Sequence, residues 1–135
     1  MIPVMPDGRV VLLKRKIDPA KGRWSYPAGY QEMGETVREA AERETREEIR
    51  TRVKAKELLG VYSYRDAGVV TIVYLGDLLN GQDPSPGHEA QDVKAFAVGE
   101  IPWKHLAFRS SVQALRDWMK SRRLKQTKAV PPKIW

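Results

Sequence analysis

At 135 residues the chain has room for one domain with its own core, and no apolar run is long enough to span a bilayer. It has no cysteine, which excludes disulfides and thiolate metal sites and leaves only oxygen ligands or His88 and His105 to hold a metal. A formal net charge of +7 draws anions such as phosphates or nucleic acid, although a solvated basic surface explains the charge alone equally well. In chain order, Met1 to Gly8 lack the charged start and apolar stretch of a secretion signal, so a cytoplasmic protein is expected. Val10 to Arg15 reads as a strand, and Pro6, Asp7 and Gly8 supply the turn that pairs it with Ile2 to Met5. Almost nothing precedes that partner, so a clipped first strand is one reading, and whether an N-terminal segment is lacking stays open. Ile17 to Arg23 is a loop, and Trp24 to Ala28 a short aromatic strand ending at Gly29.

Thr36 to Val53 is expected to be a helix, opened by the capping-box spacing of Thr36 and Glu39. Glu57 to Arg65 and Val69 to Leu79 read as strands joined by a turn at Asp66, Ala67 and Gly68. Asn80 to Gly87, with two prolines and two glycines, is a loop, and Asp92 to Val98 a further strand. Ser111 to Arg123 is a second amphipathic helix with Val112, Leu115 and Met119 on one face, joined by Trp118. A domain over 1–124 and a basic tail over 125–135 are expected. Strands interrupted by two helices suggest a covered sheet, an α/β or α+β sandwich.

The first helix carries the most informative pattern. With Val37 as reference, Ala40 and Ala41 fall within about 60° of it, and Glu44 and Glu48 within about 20°. Glu47 lies roughly 80° to one side. Two carboxylates one turn apart on an apolar side repel each other and lose hydration. A divalent cation with hard oxygen ligands relieves both costs, and Mg²⁺ characteristically binds a few carboxylates together with substrate phosphate. A run of charges on a solvated face is the competing reading, and geometry alone leaves the two about even.

The order Gly29, five residues, Glu35, seven residues, Arg43-Glu44, two residues, Glu47-Glu48 resembles the Nudix box. The likeness extends outside it. Val10 to Arg15 and Trp24 to Gly29 look like the strands leading in, while Glu89 to Phe96, Glu100 to Trp103 and Leu106 to Phe108 look like the closing half of ADP-ribose and FAD pyrophosphatases. The resemblance implies an α/β/α sandwich with a mixed sheet. It implies Mg²⁺- or Mn²⁺-dependent hydrolysis of a nucleoside diphosphate linked to another moiety, with ADP-ribose or an FAD-like dinucleotide favoured. Glu44, Glu47 and Glu48 are then metal ligands, with the Gly29 carbonyl a further one. Arg43 orients a glutamate through a bidentate contact. The general base is a glutamate of the box or one on a later loop, for which Glu89 is the candidate. Glu35 supports the loop–helix junction. Arg15, Arg23, Tyr26 and Arg65 are candidate substrate contacts, each also readable as structural. Trp103 and Phe108 read as core, and both histidines as surface or packing residues.

The chain departs from the family's pattern in places. Arg50 and Thr51 stand where a glycine and an apolar residue usually close the box, and without that glycine the helix is expected to run on toward Val53. Ala28 replaces the first glycine of a common pair. The cysteine zinc ribbon and the Ser-Gln-Pro-Trp stretch of some relatives are missing, and Leu12-Leu13 with Arg15 only echoes a coenzyme A signature. The alternatives are a basic RNA-binding module, a Nudix protein acting on capped RNA, and a degenerate domain that binds nucleotide without chemistry; intact Glu44, Glu47 and Glu48 oppose the last. Many members of the family are dimers, and the resemblance leaves a homodimer open.

Overall fold

The computed structural model describes residues 1–79 and 83–129, with side chains to residue 123. Among them the order is β1 (Ile2–Val4), β2 (Val10–Arg15), β3 (Trp24–Ser25), α1 (Val37–Ile49), β4 (Val53–Ser63), β5 (Val70–Leu78), β6 (Ala90–Phe96) and α2 (Arg109–Ala129). In β2 the successive residues Val10, Val11, Leu12 and Leu13 are all buried. Side chains alternate across a strand, so a run that is apolar at every position needs cover on both faces. Val10 and Leu12 join a cluster with Ile2, Phe96, Leu115 and Trp118, the last two supplied by α2. Val11 and Leu13 join a second with Ile49 of α1, Val53, Ala55 and Leu78. The result is a sheet between two helices, the expected α/β/α sandwich.

The sheet runs β3-β2-β1-β5-β4, with β6 also on β2. It is mixed: β1 and β5 are parallel, with Ile2 opposite Leu75, and the other pairs are antiparallel. β6 follows β2 from Val10 opposite Phe96 to Arg15 opposite Ala90. Since β6 takes one edge of β2, β1 and β3 share the other. That arrangement brings the Met1 nitrogen to the Pro27 carbonyl, 2.8 Å away, and lays the residues after β3 beside α1.

Several boundaries differ from the expected ones. The helix does not run on to Val53. It ends at Ile49, and Arg50 adopts the left-handed conformation at φ 54°, with its N–H donating to the Arg46 carbonyl. An arginine in that conformation costs about 1–2 kcal/mol. Burial of Thr51 and Val53, and pairing of Val53 with Leu78, offset the cost by forcing the chain to turn there. β4 accordingly starts four residues before the expected Glu57. β3 stops at Ser25 instead of Ala28. α2 begins two residues early and continues to Ala129, so the first part of the expected tail is helical; residues 130–135 lie outside the described residues.

Candidate active site

Helix α1 opens with the full capping box: the Thr36 hydroxyl accepts from the Glu39 N–H, and the Glu39 carboxylate accepts from the Thr36 N–H. Ala40, Thr45 and Ile49 are buried, and Val37 and Ala41 half-buried, so the face reckoned apolar does meet the sheet. Glu44 lies along that face with its side chain 20% exposed, whereas Glu47 projects outward at 57%.

Arg43 ties the loop before the helix to the helix itself. Its Nε and Nη2 donate to the two Glu35 carboxylate oxygens at 2.9 and 2.7 Å, a bidentate pair. Nη1 donates to Glu44 at 2.8 Å and Nη2 to the Tyr30 carbonyl at 3.0 Å. Glu35 also accepts from the Glu32 N–H. The Arg43 hydrogen bonds come first among the causes that hold its carboxyl down near 2. The bidentate partner is thus the glutamate of the loop, while the contact to Glu44 is single. Gly29 sits directly against Glu44: any Cβ there would collide with the carboxylate.

Glu48 is the electrostatically costly group. Its Oε2 is buried with no hydrogen-bond partner. Burial, and next the nearby Glu44 charge, raise its carboxyl from an ordinary 4.5 to about 8; Glu89 adds to the rise, and the N-terminal amine and the Ala28 N–H oppose it. Glu89 therefore stands near the box although it is 41 positions farther along the chain. Gly29, Arg43, Glu44, Glu48 and Glu89 are brought together, with Glu47 at the outer edge. No three acidic or histidine side chains among the described residues are close enough to clasp an ion as they stand. The donor set nevertheless fits a hard divalent cation: a buried orphan carboxylate oxygen on Glu48, a second carboxylate on Glu44, and a glycine directly against Glu44.

The candidate substrate contacts are dispersed. Tyr26 is 3% exposed in the α2-side core, and burial first of all raises its phenol to about 12, so it packs instead of presenting a ring to a nucleotide. Arg15 donates to the Pro19 carbonyl and lies 5.0 Å over the Phe108 ring, and Arg23 reaches the Lys104 and Leu106 carbonyls. Arg65 is exposed in the β4–β5 turn. Trp103 packs against the core, Phe108 is partly exposed beneath Arg15, and both histidines are exposed. Sequence reasoning missed the contact of the Ser85–Gly87 loop with the end of α1, where Ser85 and Gly87 N–H groups donate to the Ile49 and Glu48 carbonyls. A proline-glycine loop was visible; its partner was not.

A NUDIX domain family model matches residues 1–119. An ADP-ribose pyrophosphatase of Methanocaldococcus jannaschii is 37% identical over 118 residues, covering 84% of this chain and 68% of that protein. An NAD-capped RNA hydrolase of Pseudomonas putida is 29% identical over 124 residues, and this chain spans only 45% of its length. A solved NUDIX hydrolase from Nitrosomonas europaea superposes with a TM-score of 0.81 at 38% identity, covering 91% of this chain and 71% of that one.

Proposed function

The chain belongs to the Nudix family, and on that premise we propose that it hydrolyses the pyrophosphate bond of a nucleoside diphosphate linked to another moiety, with ADP-ribose the favoured substrate and Mg²⁺ or Mn²⁺ required. The observation that carries this reading is the Glu48 carboxylate, one oxygen of which is buried with no hydrogen-bond partner while the Glu44 and Glu89 charges bear on it. An arrangement that penalises its own negative charge suits a site built to be completed by a cation and an anionic substrate. The ADP-ribose pyrophosphatase relative supports the choice of substrate.

Glu44, Glu47 and Glu48, with the Gly29 carbonyl, would hold the ion. When bound, it neutralises phosphate oxygens and makes water a better nucleophile. The chain's own groups do the rest. Arg43, fastened to Glu35, keeps Glu44 in place beneath Gly29. Glu89 takes the proton of the attacking water as the new phosphorus–oxygen bond forms and the bridging bond breaks, leaving two phosphate monoesters.

The test is incubation of the pure chain with Mg²⁺ or Mn²⁺ and ADP-ribose, FAD, NADH, diadenosine polyphosphates, nucleoside triphosphates and capped RNA. ADP-ribose should give AMP and ribose 5-phosphate, and EDTA should stop the reaction. Hydrolysis of none of these substrates with either metal would overturn the enzyme reading; capped RNA cleaved in preference to ADP-ribose would replace the substrate.

A further inference from the structure

The loop over 83–89, between β5 and β6, is fastened to α1. The Ser85 N–H donates to the Ile49 carbonyl at 2.9 Å and the Gly87 N–H to the Glu48 carbonyl at 3.0 Å. Both carbonyls belong to the last turn, where the helix has no amides of its own to offer. Gly87 is buried, and a Cβ on it would fall on the Glu47 carbonyl and press on the Glu48 Cα. Those are helix backbone atoms, which cannot swing aside as a flexible side chain could. Two residues on, the Glu89 carbonyl accepts from the Lys16 N–H at 3.2 Å, and the Ala90 N–H turns back to the Gly87 carbonyl at 3.2 Å. Glu89 is thereby suspended between the end of α1 and the end of β2.

We propose that Gly87 is a positioning residue: its lack of a side chain lets the loop seat on α1, and the seat sets where the Glu89 carboxylate stands beside Glu48. The inference rests on the reading of Glu89 as the general base. A methyl group at position 87 lifts the loop off the helix and carries Glu89 with it. Displacing a catalytic group by about 1 Å costs on the order of a hundredfold in rate. Substrate affinity, set elsewhere, is untouched.

The experiment is a double-mutant cycle. Gly87→Ala lowers kcat at least tenfold with KM within about twofold in the otherwise native chain, and less than twofold further in a Glu89→Gln background, because the group it misplaces is already disabled. Equal losses in both backgrounds overturn the inference, as does full turnover by Glu89→Gln alone. The seat itself is read without turnover, by amide hydrogen exchange: in Gly87→Ala the amides of residues 85 and 87 exchange at least tenfold faster while those in the middle of α1 are unchanged. A loop that stays protected overturns the inference whatever the rates. If Gly87→Ala does not fold, Ser85→Pro replaces the N–H that donates to Ile49 with a ring carbon, which loosens the seat at its other anchor, and carries the same cycle with exchange read at the residue 87 amide. A native chain inactive on every substrate defeats the enzyme reading, while exchange still decides the seat.

Discussion

Glu48→Gln should stabilise the metal-free protein at high pH while destroying its activity. The Glu48 carboxyl is raised from 4.5 to about 8, so between those values the folded protein holds a proton that the unfolded chain has released. Its favourable share of stability is whole below pH 4.5 and is lost as pH rises through 8. At about 1.4 kcal/mol per pKa unit the loss approaches roughly 5 kcal/mol, and water entry and relaxation bring the expectation to about 2–4 kcal/mol. Gln imitates the protonated acid and escapes the loss. Urea unfolding followed by tryptophan fluorescence in EDTA should therefore show native and variant chains within about 1 kcal/mol at pH 5. At pH 9 the variant should be the more stable by about 2–4 kcal/mol. With saturating Mn²⁺ the native chain gains and the variant does not, and turnover by the variant falls at least a hundredfold. A stability difference that is the same at pH 5 and pH 9 in EDTA would refute the reasoning, because the substitution would then be acting through packing and not through charge.

Gly29→Ala places a methyl group on the Glu44 carboxylate in an exposed loop, so turnover should fall at least tenfold with the melting temperature nearly unchanged; full activity would show that Glu44 is free to move away. Thr51→Val removes a buried hydroxyl with no partner and should raise stability by up to about 1 kcal/mol in urea, whereas a loss of similar size would mean that the hydroxyl is bonded. Arg50→Gly relieves the left-handed conformation at the end of α1 and should gain about 1 kcal/mol; no gain would place the strain elsewhere.

The legible parts of this chain are those decided over a few residues. The capping box of Thr36 and Glu39, the strand Val10–Arg15 and the turn into it are local hydrogen-bonding and patterning problems, and the sequence states them directly. Angular arithmetic along one helix likewise sufficed to align Glu44 and Glu48 with the face that meets the sheet. It could not give the cost of that alignment, which depends on what lies opposite: Ala28 and Gly29 in the stretch after β3, and Glu89 in the loop before β6. The end of α1 was misread for the same reason. Locally an arginine continues a helix well, but here Thr51 and Val53 must reach the core and the Ser85 and Gly87 amides are already waiting for the last carbonyls. For Tyr26 the contact and structural readings stayed open because a two-residue β3 gives too short a pattern to show which face is inward, and the structure puts it in the core. The features that sequence reading loses are contacts between distant segments, and the candidate site consists largely of such contacts. Arg43 belongs to both classes: its place in the box was evident, yet its bidentate hold on Glu35, eight residues back, depends on the loop folding against the helix. That hold joins the fold to the chemistry, because the guanidinium that pins the loop is the same one that restrains Glu44.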